Sequence, residues 1–156
     1  MSRSDLLRVA LLATLVGCRD PRPSQLGENR VFEEVGGRAG SKDDCGRPTL
    51  QRAIAELVVV TADACLSCRD VGWLLRKRAN ALMDSSKTVA VLTPASDAPV
   101  VCAYLESERT STPVFASSST EYFRTQSTET VTLLKQSAQG ISRFSGANGM
   151  TGMSRG

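Results

Sequence analysis

Leu57 to Ala62 reads LVVVTA, an unbroken apolar run rich in β-branched residues. With no polar alternation, such a run leaves no face for water, so it fits a strand buried on both sides and needs a packed layer above and below it. From Val71 onward the periodicity changes. Val71, Leu75, Ala79 and Leu82 or Met83 fall on one helical stripe, with Arg69, Arg76, Lys77 and Arg78 mostly elsewhere. Between the strand and the helix stands CLSC, with Cys65 and Cys68 three positions apart.

The same alternation continues along the chain. KTVAVLTP, Lys87 to Pro94, reads as a second buried strand closed by proline. DAPVVCAYLESER, Asp97 to Arg109, reads as a helix with Asp97 as N-cap and Pro99 in the first turn, where a missing N–H costs little. TPVFAS, Thr112 to Ser117, suits a short strand, and ETVTLLKQSAQGISRFSG, Glu129 to Gly146, alternates about a Ser-Ala-Gln-Gly turn as a hairpin. Strands alternating with helices predict an α/β fold, a sheet with a parallel centre ending in an antiparallel pair. Upstream, Arg19 to Pro48 is rich in Pro, Gly and charge, and only RVFEEV within it could pair as a strand. It is expected to be a tether and lead-in.

Composition narrows the chemistry. The chain has 156 residues, 41% hydrophobic and 4% aromatic, enough for one domain with an aliphatic core. Charge is nearly balanced, 19 basic against 16 acidic residues, and no basic tract interleaves with aromatics, so nucleic acid is not an expected partner. The chain contains no histidine, which excludes Ser-His and Cys-His nucleophiles and the commonest metal ligand. Chemistry must run on thiols, carboxylates or hydroxyls.

The start of the chain, MSRSDLLRVALLATLVGC, carries Arg3 and Arg8, then an apolar run from Val9 to Gly17, then Cys18. The run is far shorter than the ~20 residues a membrane-spanning helix needs, and has the proportions of a secretory signal. LVGC, Leu15 to Cys18, resembles the lipobox of bacterial lipoproteins. That resemblance implies cleavage before Cys18, acylation of its sulfur, and a mature protein tethered to the lipid bilayer outside the cytoplasm, on the periplasmic side in a cell with two membranes. Each buried acyl CH₂ contributes roughly 0.8 kcal/mol to such an anchor. The expected organisation is a lipoprotein signal peptide over 1–17, lipidated Cys18 and tether over 18–50, one domain over 51–146 and a loose tail over 147–156. Setting Cys18 apart leaves four cysteines, Cys45, Cys65, Cys68 and Cys102, an even count in a compartment where disulfides persist.

A thiol at the carboxyl edge of a buried strand sits where open α/β folds place their sites. The N–H groups and positive end of the following helix stabilise a thiolate there. A three-residue step lets the second sulfur reach the first, as dithiol–disulfide exchange requires. Other uses remain open: a structural disulfide, or a zinc knuckle that would need Cys45 and Cys102 as further ligands. A c-type haem is excluded because Arg69 stands where CxxCH needs histidine. No cofactor is expected. Cys45 and Cys102 could bridge, although Cys102, beside Val101 and Leu105, also suits a small buried hydrophobe. Trp73 reads as core or groove wall, and Arg76 to Arg78 as a solvated helix face.

From Leu57 to Gly146 the order of elements resembles the thioredoxin-like fold in its extracytoplasmic, TlpA-type redoxin branch. The residues that carry the likeness are LVVVTADACLSCRD, the second strand, TPVFAS, the aromatic pair Tyr122 and Phe123, and TVTLLKQSAQGISRFSG. The resemblance implies a three-layer α/β/α sandwich with a mixed sheet. It also implies a thiol–disulfide oxidoreductase in which Cys65 attacks and Cys68 resolves, with disulfide-bearing or dithiol proteins as partners. The chain departs from the family in three places. Thr128-Glu129 occupies the register of the family's cis-proline, Val59 the position of its buried acid, and ANGMTGMSRG is too short and glycine-rich for its final helix. An alternative follows: a non-catalytic thioredoxin-like lipoprotein that binds partners through an uncovered sheet face, with CLSC as a structural disulfide.

Overall fold

The computed structural model describes residues 23–63, 71–118, 123 and 131–145, with side chains from 27. The elements are α1 (Pro23–Gly36), β1 (Ala53–Val59), α2 (Val71–Ala81), β2 (Lys87–Pro94), α3 (Ala98–Ser107), β3 (Val114–Ser117), β4 (Thr132–Ser137) and β5 (Gly140–Ser145). The strands form one five-stranded sheet in the order β3-β2-β1-β4-β5. β1, β2 and β3 are parallel neighbours, whereas β4 runs antiparallel to both β1 and β5. This is the α/β fold with a mixed sheet that the sequence predicts.

Strand alternation divides the core in two. Val58, Val60, Val89, Val91 and Leu133 face α2 and α3, meeting Val71, Leu74, Leu75, Val101 and Leu105. Leu57, Val59, Leu92, Phe115 and Leu134 face the other way, onto Val31, Phe32 and Val35 of α1. The result is a three-layer α/β/α sandwich, compatible with a thioredoxin-like one, with α2 and α3 over one face and α1 over the other. β1 is buried on both sides as its composition demands, with Leu57, Val58 and Val59 at 0–3% exposure.

α1 corrects the reading of the upstream segment. RVFEEV is not a strand but the second half of a helix that opens at Pro23, where a missing N–H costs nothing, and ends at Gly36. Glu28, Val31, Phe32 and Val35 recur at helical spacing and are all buried. Glu28 accepts from Arg143 of β5 at 2.8 Å, and Ser117 of β3 donates to Glu34 at 3.2 Å, so α1 spans the sheet. The uncovered sheet face expected from the missing final helix is therefore not present at the sheet centre. Among the described residues no helix follows β5.

The stripe on α2 also differs from expectation. Val71, Gly72, Leu74 and Leu75 are buried, but Ala79 and Met83 are exposed, and Arg78 turns inward. Glu56, a carboxylate on β1 with only 5% exposure, explains it. Arg78 grips both oxygens of Glu56, Nε to Oε2 at 2.7 Å and Nη2 to Oε1 at 2.5 Å. Charge-assisted bidentate geometry of this kind is what lets two ions leave water together.

Candidate functional site

The expected site lies where β1 ends and α2 begins. Val60 N–H donates to Leu92 O at 2.9 Å, continuing the β1–β2 pairing one residue past the strand. Asp97 then fixes the next step. It stands at the N-cap position of α3 but makes no side-chain cap; its Oδ2 instead accepts the Ala62 N–H at 2.9 Å, while Oδ1 accepts from Ser96 Oγ at 3.0 Å. One carboxylate thus ties the exit of β1 to the start of α3 across the carboxyl edge of the sheet. Asp97 is readable in the sequence as a helix start; its bond to Ala62 is not.

Cys65 and Cys68 follow within three and six residues of Ala62 and lie outside the described residues, as do Cys18, Arg69, Asp70, Tyr122, the Thr128-Glu129 pair, the 1–17 signal and the 147–156 tail. What the described chain positions is their frame. Asp63 precedes the segment and Val71, fully buried, anchors its far end against the α2 side of the core. On the same edge Thr93 of β2 is 0% exposed, and its hydroxyl has no hydrogen-bond partner among the described residues. Trp73, near the start of α2, is not a core residue: it is 49% exposed, with the Lys77 ammonium 4.9 Å above its ring. Arg76 reaches Glu108 and donates to its carbonyl at 3.0 Å, so of Arg76 to Arg78 only part is a solvated face.

The other two cysteines are joined. Cys45 and Cys102 form a disulfide with Cα atoms 5.6 Å apart, linking the loop after α1 to the middle of α3. That pairing decides between two readings left open by the sequence: Cys102 is half-buried and bridged, not a lone hydrophobe. It also removes the two further ligands on which a zinc knuckle at Cys65 and Cys68 would depend.

The disulfide belongs to a larger device in the loop from Arg38 to Thr49. Asp43 and Asp44 use their carboxylates to receive backbone donors of the edge strand β3, Val114 N–H to Asp43 Oδ2 at 3.1 Å and Ala116 N–H to Asp44 Oδ2 at 2.6 Å. Asp44 N–H returns a bond to Val114 O at 2.9 Å. Asp43 also accepts from Cys45 and Arg47 N–H, and Arg47 donates to the carbonyls of Thr110 and Thr112 at 3.1 and 2.8 Å. Arg38 pairs with Asp44 at 2.8 Å and lies over the Phe115 ring. The hydrogen bond from Arg38 holds the Asp44 carboxyl below the usual carboxylate range, against partial burial and with help from Ala116 N–H. The loop thus covers a parallel sheet edge that would otherwise offer free donors and acceptors.

The buried acid of this site region is Glu56, three residues before Val59, the position where the resemblance places one. Its two oxygens are engaged by Arg78, with Lys135 at 4.0 Å. That arrangement serves to hold α2 on the sheet rather than to pass protons. Among the described residues no group of three or more cysteine or carboxylate side chains could hold a metal ion. Comparisons with protein-family models, with curated proteins and with solved structures find no match to this chain.

Proposed function

We propose that the protein is a lipid-anchored, extracytoplasmic thiol–disulfide oxidoreductase that exchanges electrons through Cys65 and Cys68. One observation carries the reading: in the sequence CLSC falls between the carboxyl end of a doubly buried central strand and the start of a helix, in a five-stranded mixed sheet. In the reaction, the Cys65 thiolate attacks one sulfur of a partner's disulfide and expels the other as a thiolate. Cys68 then attacks the mixed disulfide, which releases the reduced partner and leaves Cys65–Cys68 oxidised. A second dithiol protein, oxidised in turn, restores the pair; with the steps reversed the chain is an oxidant. The Cys45–Cys102 bridge is in keeping with an oxidising compartment. Anchoring at Cys18 leaves only residues 19–22 before α1, a reach of about 17 Å at full extension.

The test is a Cys68→Ser variant in cells. The expected result is mixed disulfides on Cys65, seen as reducible higher-mass species that vanish in a Cys65→Ser/Cys68→Ser variant. A redox titration of the wild-type protein should place the couple between roughly −120 and −270 mV, the span of exchange proteins. Absence of trapped species, together with a couple below about −300 mV, would overturn the reading and leave CLSC a structural disulfide.

A further inference from the structure

At the end of the sheet opposite the carboxyl ends of β1 and β2, the loop after α1, the last turn of α2 and the first residues of β2 line a cleft of about 350 Å³. That is the size of a small-molecule site. Leu82, Val89 and Pro113 line it, and Leu50 and Met83 stand on its rim at 69% and 65% exposure. These are two of the four large hydrophobics that the described chain leaves exposed, so the apolar surface is concentrated here.

Its unpaired charge has one sign. Arg52, one residue before β1, and Lys87, the first residue of β2, both line the cleft. Both are exposed, and neither is ion-paired among the described residues. The acid in the wall, Asp43, is 5% exposed and already committed to Arg47 and three backbone N–H groups. The carbonyl end of α2 does not offset the cations either. Arg78, Ala79, Asn80 and Leu82 carbonyls receive the N–H groups of Leu82, Met83 and Ser85. A cleft of mixed lining, with the apolar side chains of Leu50, Leu82 and Met83 beside two unpaired cations, fits a molecule with one anionic end and an aliphatic body.

We propose that this cleft binds a small amphiphilic carboxylate, its head between Arg52 and Lys87 and its chain against Leu82, Met83 and Val89. The site is separate from Cys65 and Cys68, and its test does not depend on electron exchange.

The experiment is a titration of the full, isotope-labelled chain with octanoate, followed by amide shifts in NMR. Saturable shifts are expected at residues 79–83, 87–89 and 111–112. Acetate, which has the charge without the chain, and octyl glucoside, which has the chain without the charge, should leave these amides in place. Arg52→Glu/Lys87→Glu should weaken octanoate binding roughly tenfold, while Arg76→Glu leaves it unchanged. Should the double variant fail to fold, Lys87→Gln alone is expected to give a smaller loss with the same pattern of shifts. No saturable shift at the cleft, equal shifts with octyl glucoside, or full affinity in the charge variants would overturn the proposal.

Discussion

Glu56 and Arg78 show how one residue can set the position of a helix. A carboxylate within the AIAELVV strand reads as an interruption, and Arg78 as one of three solvated cations; together they form a buried bidentate pair 22 residues apart. Neither half signals the other, which is why the pair is invisible to periodicity. Removing one partner should be costly because it strands the other away from water. Glu56→Ala is expected to lose about 3 kcal/mol, whereas Glu56→Leu/Arg78→Met should recover most of that loss; urea unfolding of wild type and the two variants measures both. Asp44 is the residue whose titration the fold uses. Arg38 lowers its folded pKa, so its contribution to stability is present above the unfolded value of about 4 and is lost as pH falls through the folded value. The stability gap between wild type and Asp44→Asn should accordingly close as pH is taken below about 4, and a gap that widened there would refute the assignment.

At the scale of elements, β1, α2, β2, α3, β3 and the β4–β5 hairpin all stand where apolar runs, the Asp97-Pro99 start and the Ser-Ala-Gln-Gly turn place them. These are local signals, carried by neighbours in the chain. The covering of the β3 edge is not local: Asp43 and Asp44 reach backbone groups 71 and 72 residues away, and no spacing rule joins them. The frame of the candidate site was legible as CLSC between strand and helix, but its clamp, Asp97 to Ala62 N–H, runs over 35 residues and was not. The disulfide adds a covalent tie to the covering loop. It closes 57 residues, for which chain entropy gives about 4 kcal/mol as an upper figure. Cys45→Ser/Cys102→Ser should therefore lower the urea midpoint and raise the slope, because the unfolded chain without the bridge is more expanded. It should leave β3 covered, because the Asp43 and Asp44 hydrogen bonds do not depend on the sulfurs. Cys45→Ser/Cys102→Ser/Asp43→Ala, by contrast, should also gain concentration-dependent self-association as the edge is freed.

For the whole molecule the decisive element is α1. Its composition of Pro, Gly and charge resembles a linker, and that impression masks the apolar residues at 31, 32 and 35, whose spacing is helical. Val31, Phe32 and Val35 are 1–4% exposed and cover Leu57, Val59, Leu92, Phe115 and Leu134 on the face opposite α2. Burying one such side chain is worth roughly 1.5–3 kcal/mol, so the three together approach the entire 5–15 kcal/mol by which a domain is stable. The sheet side they cover would lose its partners as well. A chain that begins at Arg38 should therefore have no cooperative unfolding transition and should bind anilinonaphthalene sulfonate, while one that begins at Arg19 unfolds in a single step. If the shorter chain unfolded cooperatively with the same slope, α1 would be a passenger, and residues 19–36 could swing the domain away from a bilayer. If it did not, α1 is an integral layer of the sandwich rather than a lead-in to it.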